Sequence, residues 1–276
     1  PNIIRHKFTL SEKGYAINNI HFPIDEKALE WSRRRLVFEE LFFMQMALYA
    51  VRENFRAKKE GLIFEWDSCK LKRFINKLPF SLTGAQKRVI KEILADFKKG
   101  IPMNRLVYGD VGSGKTIVAA VALYVAFLAG YQGVMMAPTE ILARQHYETL
   151  KGILDGLGID ICLLIGGMRN KEKEQVKDRI YKGEVDIVIA THAVLQEDVK
   201  FKKLGLVITD EQHRFGVRQR AAIMQKGKTN PHMLVMSATP IPRTLALIFY
   251  GDLDISLIDE LPPGSGYMLL SENRLS

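Results

Sequence analysis

Gly109-Asp110-Val111-Gly112-Ser113-Gly114-Lys115-Thr116 is the stretch of sequence that decides the fold, and it fits the phosphate-loop pattern GxxxxGK[ST] at every position. An apolar run ends at Tyr108 before it, and a helix-forming run from Ile117 to Leu128 follows it. Glycines let backbone N–H groups close around an anion where a Cβ atom would collide. The pattern predicts that Lys115 contacts phosphate oxygens and that Thr116 ligates Mg²⁺. A glycine-rich turn without a ligand is the alternative, and the Lys and Thr in register disfavour it.

Short apolar runs alternate with helical stretches on both sides of this loop. The runs predicted as strands are 105–108, 133–137, 161–165, 187–190, 204–209 and 233–237. Such alternation is typical of an α/β domain with a parallel sheet covered by helices on both faces. Ligands on these sheets bind at the carboxyl ends of the strands.

An apolar strand, 204–209, ends in two acidic residues, Asp210 and Glu211. A phosphate loop needs a carboxylate that holds Mg²⁺ from the far side and a base that orients the attacking water. We therefore predict Asp210 as a metal ligand and Glu211 as the residue that acts on water. Taken alone, such a pair would more often be solvated surface charge.

A long helix is predicted over residues 25–60, before the α/β pattern begins. Apolar residues recur at intervals of three and four from Val37 to Phe55, and Pro23 and Asp25 favour its start. The wide apolar stripe favours packing against the rest of the chain, and a coiled-coil dimer is the alternative. Arg33, Arg34 and Arg35 form a basic cluster that is either a solvated face or a DNA contact.

Composition limits the class of protein. The chain has 276 residues, 47% of them hydrophobic, and a formal net charge of +9, which favours a polyanionic partner such as nucleic acid. Cys69 and Cys162 have no spacing that suggests a disulfide or a zinc site. The amino terminus lacks the layout of a signal peptide, and the apolar run 116–128 is too short to span a bilayer. We expect a cytoplasmic protein without a membrane partner.

Three motifs together resemble superfamily 2 helicases and translocases. They are the phosphate loop, Asp210-Glu211-Gln212-His213, and Ser237-Ala238-Thr239 after the last predicted strand. The resemblance implies a RecA-like lobe that binds ATP and Mg²⁺, with Lys115, Asp210 and Glu211 as catalytic residues and His213 near the nucleotide. It also implies that Ser237, Ala238 and Thr239 couple the nucleotide to the nucleic-acid site.

The segments 210–217, 236–244 and 250–254 are similar to the RecG family of bacterial DNA helicases. The rival is the Mfd family of transcription-repair coupling translocases, which shares the stretches 213–217 and 239–244 but usually has Glu where this chain has Gln212. Gln212 and the run Tyr250-Gly251-Asp252-Leu253-Asp254 favour RecG.

The segment 79–86 is similar to the part of this family that reads adenine. A Gln86 amide can donate to N7 and accept from the N6 amino group, and Phe80 or Leu82 can cover the ring. The alternative is that Gln86 is an ordinary polar helix residue.

Candidate DNA contacts follow three of the predicted strands, at positions that hold the sugar-phosphate backbone in related motors. Hydroxyl groups, glycines and helix starts suit sequence-independent phosphate binding. Thr139 could instead be only a helix N-cap, and His192 only a polar residue near the sheet. The candidates are Thr139, Arg144, Gly166, Gly167, Thr191 and His192.

The resemblance also implies a division of the chain into segments. Residues 1–24 would be the end of a wedge domain, 25–78 the connector helix region, 79–264 the first motor lobe, and 265–276 a tail that departs from the family's continuation, with a native and a non-native origin both open. The parent protein would use ATP to translocate on branched or forked DNA and to remodel stalled replication forks, together with a second motor lobe and the wedge domain in the same chain. The alternatives are an Mfd-like translocase and a nucleotide-binding switch or scaffold without motor action.

Overall fold

The computed structural model describes residues 2–57, 60–210, 222–224, 226, 230–238 and 253–262. Contacts among them define two units, a helical unit that ends at Ala57 and an α/β unit made of the described residues that follow. Of the helices in these ranges, none is long and apolar enough to cross a membrane.

The amino-terminal unit consists of three helices, α1 (Asn2–Lys7), α2 (Lys13–His21) and α3 (Glu26–Ala57). The long helix predicted over 25–60 is therefore confirmed, and the Asp25 carboxylate begins it by accepting the Ala28 N–H at 2.6 Å. α2 packs along α3. Within the predicted apolar stripe of α3, Val37 and Leu41 are 47% and 41% exposed.

The α/β unit is built on a sheet of seven strands in the order β3-β4-β2-β5-β6-β1-β7, and every paired neighbour runs parallel. This confirms the predicted α/β class. Its helices and strands are α4 (Ser68–Lys77), α5 (Gly84–Asp96), β1 (Asn104–Gly109), α6 (Lys115–Leu128), β2 (Gln132–Met136), α7 (Glu140–Ile153), β3 (Ile161–Leu164), α8 (Asn170–Lys182), β4 (Ile187–Ala190), a 3₁₀ turn (His192–Leu195), β5 (Leu204–Asp210), β6 (His232–Ser237) and β7 (Asp254–Ile258).

The centre of the unit is apolar on nearly every side. The strands β2 and β4 are buried at every position, as are Leu204 to Thr209 of β5, which explains why these segments read as continuous apolar runs. α6 is buried from Ile117 to Ala126 and packs against α4, α5 and α7 as well as the sheet. A helix that is apolar all round is expected in such a position.

β7 was not predicted from the sequence. Asp254 and Ser256 interrupt its apolar run, so it lacks the continuous pattern of the other strands. Ser256 is nevertheless 2% exposed, because its hydroxyl accepts a hydrogen bond from Arg105 at 2.7 Å. A buried polar group with a partner is tolerated in a strand, and β7 pairs with β1 along its whole length.

Residues 60–78 belong to the same unit as the sheet, whereas the sequence-based division placed them with the connector helix. Phe64 is 1% exposed, and its N–H donates to the Phe97 carbonyl at 3.0 Å. Its ring contacts His232, whose Nε2 donates to the Leu62 carbonyl at 2.9 Å and whose Nδ1 accepts the Met103 N–H at 3.0 Å. Burial lowers the pKa of His232 to about 4, so the ring is neutral near pH 7 and can use one nitrogen as donor and the other as acceptor.

Candidate nucleotide-binding site

The phosphate loop connects β1 to α6 at the carboxyl edge of the sheet. Gly112 and Gly114 have φ angles of 81° and 80°, a region that side chains with a Cβ rarely adopt. A tight turn follows β1, in which the Ser113 N–H donates to the Asp110 carbonyl at 3.1 Å. α6 begins at Lys115, so its first unpaired N–H groups point into the loop.

The loop is closely surrounded by the rest of the unit. A Cβ atom on Gly109 would lie 2.7 Å from the Ser113 hydroxyl and 2.9 Å from the Ile258 carbonyl oxygen. A Cβ on Gly114 would lie 2.3 Å from the Gln86 amide nitrogen. Both glycines are therefore required by space, and Gly114 by its backbone angle as well.

Lys115 turns back over the loop in which it stands. Its Nζ donates to the carbonyl of Gly109 at 2.7 Å and to that of Asp110 at 2.9 Å. Thr116 is half-buried in the first turn of α6. The cation and the hydroxyl thus both stand at the anion-binding end of the helix.

Gln86 joins the segment predicted to read adenine to the phosphate loop. It forms a capping box with Thr83, in which the Gln86 Oε1 accepts the Thr83 N–H at 2.9 Å. Its Nε2 donates to the Ser113 carbonyl at 2.9 Å, and the residue is 1% exposed. The amide is therefore engaged inside the protein, and its role toward adenine stays a prediction.

A groove of about 410 Å³ lies beside this segment. Phe80 is 48% exposed at its wall, whereas Leu82 is buried. An exposed aromatic ring at the side of a groove is suited to covering a planar base. The residues that line the groove are Ile75, Asn76, Leu78, Pro79, Phe80, Ser81, Leu82 and Lys87.

Asp210 ends β5 at the same edge of the sheet as the phosphate loop. It pairs in register with Met236 of β6, and the next residue of β6, Ser237, pairs with Tyr108 of β1. Neighbouring strands are about 4.8 Å apart. Asp210 is two strands away from β1, so about 10 Å in total separate it from the end of β1. A separation of about 10 Å leaves room for phosphates and a metal between the loop and Asp210.

The Asp210 carboxylate is held by a residue that the sequence analysis did not select. His146 Nε2 lies 2.7 Å from Asp210 Oδ2, and the two side chains are 11% and 15% exposed. His146 falls on the buried stripe of α7 with Ala143 and Leu150. A polar residue on an otherwise apolar helical stripe is the signal in the sequence that could have identified it.

The start of α7 brings two groups of predicted DNA contacts together. Thr139 Oγ1 accepts the Leu142 N–H at 3.3 Å and so caps α7, which leaves its predicted DNA role untested. Glu140 accepts the Gly167 N–H at 2.7 Å, which joins α7 to the loop of Gly166 and Gly167 after β3. Arg144 and both glycines are exposed.

The remaining predicted residues lie at the ends of β4 and β6 or outside the described part of the chain. Thr191 follows β4 and is 7% exposed, whereas His192 is exposed at the first position of the 3₁₀ turn. Ser237 is buried at the end of β6, and Ala238 follows it half-buried. The predicted residues outside the described ranges are Glu211, His213, Thr239 and the tail 265–276.

The donors at this edge fit a phosphate chain with Mg²⁺. The Ser113 hydroxyl is buried without a hydrogen-bond partner, as is the Thr209 hydroxyl beside Asp210, and a buried unpaired polar atom calls for a ligand or water. The cradle of glycines, the Lys115 cation and the Asp210 carboxylate are the groups that phosphate and a hard cation prefer. Fold and site together define a RecA-like P-loop lobe.

Comparison with known proteins places this lobe in a family. A model of the DEAD/DEAH box helicase family matches residues 83–248, and the chain belongs to that family. The ATP-dependent DNA helicase RecG of Thermotoga maritima is 51% identical over 264 residues, which cover 96% of this chain and 34% of that protein. RecG of Bacillus subtilis is 46% identical over 264 residues, with 96% and 39% covered.

A solved structure agrees with these sequence comparisons. The structure of RecG bound to a three-way DNA junction matches with a TM-score of 0.82 and 47% identity, over 96% of this chain and 35% of that one. The predicted resemblance to RecG is confirmed, and the chain carries a RecG-like motor lobe. It spans between about a third and two fifths of the length of these relatives.

Proposed function

We propose that the chain is the ATP-binding motor lobe of a RecG-like DNA helicase that couples ATP hydrolysis to movement on branched DNA. The observation that carries this proposal is the phosphate loop at the end of β1 with the Asp210 carboxylate two strands away at the same edge. The likeness to RecG supports the choice of ATP and of DNA.

Each part of the loop has a separate role toward the nucleotide. The loop from Gly109 to Thr116 binds phosphate oxygens through backbone N–H groups and the Ser113 hydroxyl, and Lys115 leaves the two loop carbonyls to contact the β and γ phosphates. Thr116 and Asp210 are the residues that would hold Mg²⁺. When bound, Mg²⁺ neutralises part of the phosphate charge.

The other site residues select the base and act on water. Gln86 reads adenine, and Phe80 and Leu82 cover its ring. Glu211 orients the attacking water as a base, and His213 lies near the nucleotide. These roles come from the resemblance and from the chemistry of the side chains.

DNA is bound through its backbone at the ends of β2, β3 and β4. The hydroxyl groups, exposed glycines and Arg144 in this set suit phosphate contacts that do not depend on sequence. Ser237, Ala238 and Thr239 would couple this surface to the nucleotide, since Ser237 stands between the strands of the phosphate loop and Asp210. The contacting residues are Thr139, Arg144, Gly166, Gly167, Thr191 and His192.

The parent protein, in this proposal, works in the cytoplasm in recombination and repair, where it remodels stalled replication forks. It needs a wedge domain that engages the fork and a second motor lobe in the same chain. The segments 1–24 and 25–78 would be the end of the wedge and the connector region, of which residues 60–78 pack in the same unit as the sheet. The segment 79–264 would be the first lobe.

Calorimetry with adenine and guanine nucleotides tests the proposal. The 276-residue chain should bind Mg-ADP with micromolar or weaker affinity and Mg-GDP at least about tenfold more weakly, since a lost hydrogen-bonded recognition costs on the order of 1 to 3 kcal/mol. Gln86→Leu should remove the preference, with Gln145→Leu on the exposed face of α7 as the matched control. Equal affinity of the unaltered chain for both nucleotides would rule out the adenine-reading role, and absence of binding would rule out the proposed function.

A further inference from the structure

His146 stands at a position where an apolar side chain would be expected. It lies on the buried stripe of α7, between Ala143 and Leu150, which are both 0% exposed. A histidine in such a place loses its contact with water and needs a protein partner. The partner is Asp210, with Nε2 and Oδ2 2.7 Å apart.

The direction of this hydrogen bond follows from the chemistry of the two groups. An ionised carboxylate can only accept, so the His146 Nε2 carries the hydrogen that it donates. The bond fixes one oxygen of a carboxylate that stands at the end of β5, at the edge where the phosphate loop lies. α7 therefore controls the orientation of a group that belongs to a neighbouring strand.

We propose that His146 is a positioning residue for the metal ligand Asp210. It holds one oxygen of the carboxylate in the orientation in which Asp210 receives Mg²⁺. Hydrogen bonds to ligating carboxylates act in this way, and loss of one typically lowers metal affinity or activity by about 10- to 100-fold. This inference rests on the proposed function, because it takes Asp210 as the ligand.

Two variants of similar size separate positioning from packing. His146→Gln keeps an N–H donor at a similar distance from the backbone, and His146→Leu fills the same buried place without a donor. The affinity of the 276-residue chain for a non-hydrolysable ATP analogue is measured by calorimetry, once with Mg²⁺ and once with EDTA. With EDTA we expect all three proteins to bind alike. With Mg²⁺ the Leu variant should bind about tenfold or more weaker than the unaltered chain, and the Gln variant should recover most of that loss.

Each of the following outcomes would contradict the inference, the proposed function or both. A Leu variant with the Mg²⁺ dependence of the unaltered chain would show that His146 only fills space, and the inference would fail while the proposed function stands. If the unaltered chain binds the analogue equally well with Mg²⁺ and EDTA, Asp210 is not a metal ligand here and the inference fails. If it binds in neither condition, the proposed function fails too.

A measurement on the unaltered chain covers the case in which the Leu variant does not fold. The ¹⁵N resonances of the imidazole rings are followed by NMR while Mg²⁺ is added to the chain already saturated with the ATP analogue. The His146 resonances should shift, because the metal draws charge from the carboxylate that accepts its hydrogen bond. His232, which contacts Leu62 and Met103 instead, is the internal control and should not respond. A His146 signal that stays unchanged as Mg²⁺ binds would refute the positioning role.

Discussion

Lys115 shows at the scale of one residue how the phosphate loop keeps its shape. Its Nζ donates to two carbonyl groups of the same loop, at 2.7 and 2.9 Å. Those contacts hold two carbonyl oxygens of the loop on one cation. The same cation can be transferred to phosphate without unfolding the turn.

Replacing Lys115 by Ala should abolish measurable binding of Mg-ADP and leave the fold nearly as stable as before. Two partly exposed hydrogen bonds contribute on the order of 1 kcal/mol in total, whereas a missing cation leaves the phosphate charge uncompensated. Calorimetry and thermal unfolding measure the two effects, with Lys91→Ala on the exposed face of α5 as the control. Unchanged nucleotide affinity would contradict the role assigned to the loop.

His232 should make the unfolding free energy depend on pH. Its pKa is about 4 in the folded chain, against an ordinary value of 6.5, so the unfolded chain takes up the proton first as pH falls. Stability is full above pH 6.5 and declines below it, by about 3 kcal/mol between pH 7 and pH 4, since each pKa unit corresponds to about 1.4 kcal/mol.

Denaturant unfolding across that pH range tests the effect of His232. His232→Gln should flatten the decline relative to the unaltered chain, because the amide does not titrate. Parallel curves for the unaltered chain and His232→Gln would contradict the prediction.

Among single residues, the sequence predicted those whose function depends on neighbouring positions in the chain. It missed those whose partner is far away in the sequence. Gly112, Gly114 and Lys115 are recognisable because the loop they form is continuous in the chain. The contact of His146 with Asp210 joins positions 64 residues apart. The sequence positions of the two residues do not indicate that they are in contact, so only the packing of α7 on the sheet could show this contact.

At the scale of secondary-structure elements, a buried ion network ties α5 and β7 to β1. Arg105 of β1 contacts Asp96 at 2.7 Å and Glu92 at 3.1 Å, both from α5, and Ser256 of β7. Arg105 and Asp96 are 9% and 5% exposed at the side chain. A single guanidinium thus satisfies polar groups from two neighbouring elements.

Arg105→Leu should destabilise the chain by about 3 kcal/mol, because removal of one member of a buried pair leaves the other charge without compensation. The Asp96 contact with Lys99 at 2.7 Å remains and keeps the loss at the lower end of the usual range. Arg88→Leu is the control, on the helix α5 that supplies Asp96 and Glu92, since its pair with Asp259 is exposed and should contribute nothing measurable. Equal stability of the two variants in urea unfolding would contradict the importance of the network.

The same network explains why the sequence did not predict β7. Six strands were predicted close to their observed ends, because their apolar residues form runs with few interruptions. β7 lies at an edge of the sheet and carries Asp254 and Ser256, and its buried Ser256 hydroxyl is paired with Arg105 about 150 positions earlier. Periodicity cannot show a strand whose polar residues are satisfied from elsewhere in the chain.

At the scale of the whole molecule, we expect the 276-residue chain to bind DNA weakly and to hydrolyse ATP near background. In phosphoryl-transfer enzymes an arginine supplied from a facing surface is worth about three to five decades in rate, and the α/β unit of the described residues is a single RecA-like lobe. Filter binding at increasing salt should show affinity that is independent of sequence and falls steeply. ATPase assays with and without forked DNA are the second measurement, with Lys115→Ala as the background. Strong stimulation by DNA would show that this chain works as a motor alone.

The position of β1 inside the sheet has a consequence for the order in which the nascent chain assembles. β1 lies between β6 and β7, and both of these strands are translated more than a hundred residues after it. At about 5 to 20 residues per second, the ribosome needs about 8 to 30 s to make the 150 residues from Asn104 to Asp254. Until β6 is made, both hydrogen-bonding edges of β1 are unpaired, and one of them stays unpaired until β7 follows, so the phosphate loop lacks the neighbouring strands that support it. Chaperones that shield extended apolar strands should therefore bind this chain on the ribosome until β6 and β7 have been made.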